Sequence, residues 1–134
     1  MDKHKRRDGD FTSYPSFKLM EARMKEQDYQ RKIVKYLESR GAYVVKVISA
    51  SKKGVPDVIS CYKGKFIAIE VKTPTTMKNT SKLQEYNLAQ IDKANGFSIV
   101  AYDTELLKAI LDSIDTIEAN TNAICSLMEE HSAK

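Results

Sequence analysis

At 134 residues, 42% of them apolar, the chain is long enough for one domain with a modest core, and nothing in it suggests a second. No apolar run approaches the roughly 18 to 20 residues of a membrane span, and the basic N-terminus is not followed by the apolar stretch of a signal peptide. Two cysteines, Cys61 and Cys125, lie far apart without metal-ligand spacing, so a reduced cytoplasmic protein without disulfides is expected.

The formal net charge of +4 conceals a gradient of +7 over residues 1–53, +2 over 54–102 and −5 over 103–134. A positive first half points to an anionic partner approached from one side, of which nucleic acid is the commonest, although solvated surface charge gives the same count.

In chain order, residues 1–16 are basic and polar, punctuated by Gly9 and Pro15. The run Lys3, Lys5, Arg6, Arg7 could neutralise several phosphates or serve only solubility. From Phe17 to Arg40 the apolar residues recur at helical steps and Gly41 supplies the stop. On that helix Glu26, Gln30 and Ile33 share a face, setting a carboxylate and an amide beside the apolar stripe. Residues 42–48, AYVVKVI, read as a strand, followed by a loop carrying Lys52 and Lys53, placed to position phosphate.

The next stretch, residues 54–72, holds two short apolar runs, VISCY and FIAIEV, around Lys63-Gly64, a turn pair that joins antiparallel strands. A two-residue loop pairs Tyr62 with Lys65, Val58 with Ile69 and Asp57 with Glu70. One face then carries Asp57, Ile59, Cys61, Phe66, Ala68, Glu70 and Lys72, and the other carries Val58, Ser60, Tyr62, Ile67, Ile69 and Val71. Both are largely apolar, so cover on both sides is expected. A one-residue slip would separate the acids by burying each against a valine, and is less favoured. With the acids opposed, like charges stand about 5 Å apart and call for a cation between them.

A polar loop, TPTTMKNTSK, carries Lys78 and leads to a helix capped by Thr80 or Ser81; Ser81 has Gln84 at capping-box spacing and Lys82 beside it. This helix is expected to run to about Asn95, with Leu88, Ile91 and Ala94 inward, and to be closed by Gly96. FSIVAY, residues 97–102, reads as a buried strand, parallel to the preceding one across a βαβ crossover. From Asp103 or Thr104 a helical pattern runs almost to the end, as one helix or two meeting at Asn120-Thr121-Asn122. The class is mixed α/β with a small central sheet.

Two carboxylates and an ammonium on one hairpin face suit Mg²⁺ or Mn²⁺ with a phosphate substrate, and phosphodiester hydrolysis is the natural reaction. A surface salt bridge of Lys72 with Asp57 and Glu70 uses the same residues.

GVPDVIS, KGKFIAIEVKTP, SKLQ and NGFSIVAY together resemble the PD-(D/E)xK nuclease superfamily, and within it the VRR-NUC (virus-type replication-repair nuclease) branch, over roughly residues 26–102. The resemblance implies a restriction-endonuclease-like core: antiparallel hairpin strands plus a parallel strand, flanked by helices. It implies metal ligation by Glu26, Asp57, Glu70 and the Val71 carbonyl, with Lys72 catalytic and Gln84 reaching back to the site. It divides the chain into a basic flexible arm (1–15), a nuclease domain (16–115) and a C-terminal helical extension (116–134). Stand-alone members resemble homodimeric Holliday junction resolvases, so branched DNA is the expected substrate, with Lys3, Lys5, Arg6, Arg7, Lys52, Lys53, Lys78 and Lys82 as DNA contacts, in the host cytoplasm if phage-encoded. The loop after Lys72 is longer than the branch suggests. A DNA-binding module of the same fold without chemistry and a sequence-selective nicking or restriction-like nuclease are the alternatives. The apolar stripe Ile117, Ile124, Leu127 and Met128 serves either a dimer or a helix folded back on its own sheet.

Overall fold

The computed structural model describes residues 24–132. Lys3, Lys5, Arg6, Arg7 and the expected helical start at Phe17 lie outside them. Helix α1 (Glu26–Ser39) is followed by strands β1 (Tyr43–Lys46), β2 (Val58–Tyr62) and β3 (Lys65–Val71), helix α2 (Lys82–Lys93), strand β4 (Phe97–Ala101) and helix α3 (Glu105–Ser132). The sheet order is β1-β2-β3-β4. β1, β2 and β3 are antiparallel neighbours, and β4 runs parallel to β3.

The hairpin has the two-residue register expected from sequence, Tyr62 opposite Lys65 through to Val58 opposite Ile69. Lys63 and Gly64 both take positive φ, 47° and 77°, the conformation that lets a two-residue turn follow the strand twist. One hairpin face is wholly buried: Val58, Tyr62, Ile67, Ile69 and Val71 meet Tyr29, Ile33 and Leu37 of α1 and Leu107, Leu111 and Ile114 of α3. Two amphipathic helices thus bury their stripes on one side of the sheet.

The opposite face departs from expectation. α2 lies over it at β3 and β4, and Gly96 lets Ile91 approach Phe66 there, since a Cβ at that position would stand 2.8 Å from Ile91 Cγ2. Ala68, Glu70 and Lys72 are buried, whereas Cys61, Phe66 and Tyr43 remain exposed. One twelve-residue helix spans only part of a four-stranded sheet, so the hairpin is covered on this side only toward its open end. β4 is likewise half-buried rather than buried, because it forms the outer edge of the sheet.

Element ends differ from the periodicity where side chains cap the backbone. Lys25 is extended, not helical, and its N–H donates to Asp28 Oδ2 at 2.9 Å, which starts α1 at Glu26. α2 ends at Lys93 with Asn95, not Gly96, in the left-handed conformation, and Ala94 is exposed. α3 passes through Asn120-Thr121-Asn122 as a single 28-residue helix. Among the described residues no helix is long and apolar enough to cross a membrane.

Candidate active site

The opposed ends of β2 and β3 build the site. Asp57 precedes β2, where Val47 N–H donates to its carbonyl at 2.8 Å and Val71 N–H donates to its Oδ2 at 2.9 Å. Its backbone and one carboxylate oxygen are thus tied to the strands on either side. Glu70, on β3, is only 2% exposed. Its Oε1 accepts from Gln84 Nε2 at 2.8 Å, and Lys72 Nζ stands 3.9 Å from the same oxygen and 3.4 Å from Gln84 Oε1.

Gln84 reaches Glu70 because of how α2 begins. Ser81 Oγ accepts from Gln84 N–H at 3.1 Å, and Gln84 Oε1 accepts from Ser81 N–H at 2.9 Å. This reciprocal cap fixes the Gln84 amide, leaving its Nε2 free to donate to Glu70. Gly54 permits the approach of the preceding loop, since at φ 78° a Cβ would stand 2.8 Å from Leu83 Cγ and 3.0 Å from the Leu83 carbonyl carbon.

Burial pushes the Glu70 carboxyl up to about 8, and the neighbouring Asp57 charge and hydrogen bond raise it further, against the pull of Lys72. Glu26 adds a smaller repulsion. Glu70 Oε2 and Gln30 Oε1 are buried acceptors without a hydrogen-bond partner. Such acceptors are costly unless a proton donor, water or cation meets them. Asp57 and Glu70 offer hard oxygen donors of the kind Mg²⁺ and Mn²⁺ take, so the residues fit a divalent ion.

The structure brings together Asp57, Glu70, Lys72 and Gln84. Glu26 stays at the margin: Gln30 Nε2 donates to its Oε1 at 3.5 Å, and no three His, Cys, Asp or Glu side chains converge closely enough to hold an ion among the described residues. Lys52, Lys53, Lys78 and Lys82 are all exposed. The Lys53 carbonyl accepts from Asn87 Nδ2 at 3.1 Å, which sets Lys53 over the half of α2 that carries Lys82 and Gln84. Sequence reasoning put Gln30 on the Glu26 face but gave it no role; its four-residue spacing from Glu26 was the available signal.

The family model of the archaeal Holliday junction resolvase (Hjc) matches residues 21–105. The chain belongs to that family. Every described site residue lies inside the Hjc match, which ends at the first residue of α3. Among solved structures, one described as a VRR_NUC domain is similar at a TM-score of 0.52 and 20% identity, covering 65% of this chain and 94% of that one. At that identity the likeness shows the fold, and it agrees with the nuclease-like core anticipated from sequence. Comparison with curated proteins returns no match. Hjc membership makes a nuclease of the resolvase type the coarse functional assignment.

Proposed function

We propose that this chain is a divalent-metal-dependent, structure-selective DNA endonuclease that hydrolyses phosphodiester bonds in branched DNA as a Holliday junction resolvase, acting as a homodimer. The observation that carries the reading is the buried Glu70 carboxylate opposite Asp57, with one oxygen unpartnered and Lys72 alongside. A surface salt bridge has no reason to bury its acid, so the simpler role for these three residues is disfavoured.

In this reading Asp57, Glu70 and the Val71 carbonyl would hold Mg²⁺ or Mn²⁺, with Glu26 contributing from α1. The ion supplies Lewis acidity toward the phosphate and lowers the pKa of an attached water. Gln84 keeps the Glu70 carboxylate in one orientation, and the strand bonds to Asp57 do the same for its partner acid. Lys72, held between Glu70 and Gln84, presents its ammonium to the scissile phosphate, where negative charge grows in the transition state. Lys53 and Lys82, exposed near the start of α2, position the flanking backbone, with Lys52, Lys78 and the basic arm as further contacts. Resolution requires two symmetric nicks, and a two-fold dimer provides two sites.

Labelled linear, flap and four-way DNA incubated with Mg²⁺ or Mn²⁺ tests the reading. Preferred cleavage of the four-way junction is expected, with Asp57→Asn and Glu70→Gln each lowering the rate by at least about 100-fold while junction binding persists. A junction that is shifted on a gel but never cut by the wild-type protein would assign a binding module instead. Cutting of linear duplex at one sequence would assign a restriction-like enzyme.

A further inference from the structure

Helix α3 does two different things along its length. Its first half is core: Leu107, Leu111 and Ile114 are buried, and Lys63 of the hairpin turn holds Asp115 at 2.8 Å and Glu118 at 3.2 Å. Beyond Glu118 every described residue is exposed, to Ser132. A helix of that remaining length projects about 20 Å past its support.

The projecting half is not a polar helix. Ile117, Ile124, Leu127 and Met128 are each 57–64% exposed. The series Leu107, Ile110, Ile114, Ile117, Thr121, Ile124, Met128 advances by alternating steps of three and four, the heptad spacing of a helix that packs along another helix. The same stripe is core up to Ile114 and open beyond it. Where it leaves the sheet it borders a groove of about 280 Å³ lined by Lys63, Lys65, Phe97, Ile114, Ile117 and Thr121.

We infer that the free half of α3 pairs antiparallel with α3 of a second copy of this chain. The heptad fixes the register: Ile117 stands opposite Met128 of the second copy and Thr121 opposite its Ile124, with the same pairs repeated about the two-fold axis. Charge selects the orientation. The far end of α3 is acidic, at Glu129 and Glu130, and the antiparallel register brings that end to the groove where the other copy presents Lys63 and Lys65. A parallel pair would instead set Glu118, Glu129 and Glu130 against their own copies. The two-fold invoked for resolution then has a physical location outside the part of the chain matched by the Hjc family, which ends at residue 105. The inference adds to the dimeric reading above, and its readout is mass rather than cleavage, so either can fail without the other.

Light scattering on the full chain across a dilution series is expected to give the mass of two chains at high concentration. Ile124→Glu with Met128→Glu, both exposed in the single chain and remote from the site, should halve that mass and leave the thermal transition of the core unchanged. Orientation is read from chains carrying Ile117→Cys mixed with chains carrying Met128→Cys, both in a Cys61→Ser, Cys125→Ser background. Oxidation should yield mainly the mixed disulfide. Four results would overturn the proposal: one-chain mass at every concentration, two-chain mass that survives the double substitution, predominant like-to-like disulfides, or a full chain that pairs only after residues 1–23 are deleted. The last would assign the stripe to that segment.

Discussion

Glu70 shows what a single buried acid does to a small domain. Its carboxyl ionises near 8 in the folded chain, against an ordinary value of 4.5. The folded state therefore holds a proton that the unfolded chain has already released between those values, so stability falls as pH rises through that window. Without divalent metal, wild-type protein is expected to lose thermal stability from pH 4.5 toward about 8, and Glu70→Gln, which cannot ionise, to lose less. Thermal unfolding in chelator across that range checks it; parallel curves would detach the effect from Glu70. Mg²⁺ or Mn²⁺ should restore the wild-type transition most at high pH, where the carboxylate is bare, and leave Glu70→Gln nearly unmoved. Gln30 Oε1 is the second buried acceptor without a partner. Gln30→Met keeps the side-chain length but removes that acceptor. It is expected to leave folding stability near wild type and to weaken cation binding about tenfold, as measured by calorimetry. Unchanged affinity would confine Gln30 to packing. Asp57, Glu70 and Lys72 were legible in the sequence because strand alternation and a two-residue turn fix which side chains face each other. Gln30 was not, because whether an amide beside an apolar stripe is solvated depends on what covers the helix, and no local pattern encodes that.

At the level of elements, the hairpin and the first turn of α2 act as one unit. Ser81 closes the helix N-terminus through Gln84, and Gln84 in turn orients Glu70, so a capping residue reaches the site through one side chain. Ser81→Ala should cost about 1 kcal/mol of stability through the lost cap. It should also lower nuclease turnover, because Gln84 gains freedom to leave Glu70, while Ser81→Thr, which preserves the cap, restores both. Chemical denaturation and junction cleavage measured on the same variants decide this, and turnover that stays at the wild-type level in Ser81→Ala would separate the cap from the site. The serine cap was readable from its spacing, whereas the limits of sheet coverage were not. FSIVA is apolar enough to pass for a buried strand, but the chain order places it at the sheet edge, and local composition cannot distinguish an edge strand from a central one. The unbroken α3 illustrates the converse: Asn-Thr-Asn has weak helix propensity, but its neighbours carry the helix through.

Over the whole molecule, the acidic C-terminal segment has a use that its charge count did not disclose. Arg40 from the end of α1 holds Asp112 and Asp115 at 2.9 and 3.0 Å, Lys63 from the hairpin turn holds Asp115 and Glu118, and the Tyr62 hydroxyl donates to Asp115. Basic groups of the first half therefore fasten α3 across the sheet, and part of the charge gradient is spent inside the molecule rather than on a partner. Asp115 sits where these bonds meet. Lys63 first, then the Tyr62 hydroxyl, hold its carboxyl down to about 2 from an ordinary 3.8. For a depressed carboxyl the stabilisation is complete above the unfolded value and is lost as pH falls through the folded one. The wild-type chain is thus expected to lose α3 anchorage between pH 3.8 and about 2. Asp115→Asn should be less stable at neutral pH, since Lys63 and Arg40 each lose a charged partner, but its stability should fall less steeply in that acid window. Urea unfolding of both proteins at several acidic pH values measures the difference, and equal slopes would mean that Asp115 does not hold the helix. Because α3 also carries the stripe assigned to the second copy, loosening this anchor in Asp115→Asn should weaken pairing without any change to the apolar residues. That would show as a shift of the dilution series toward one-chain mass.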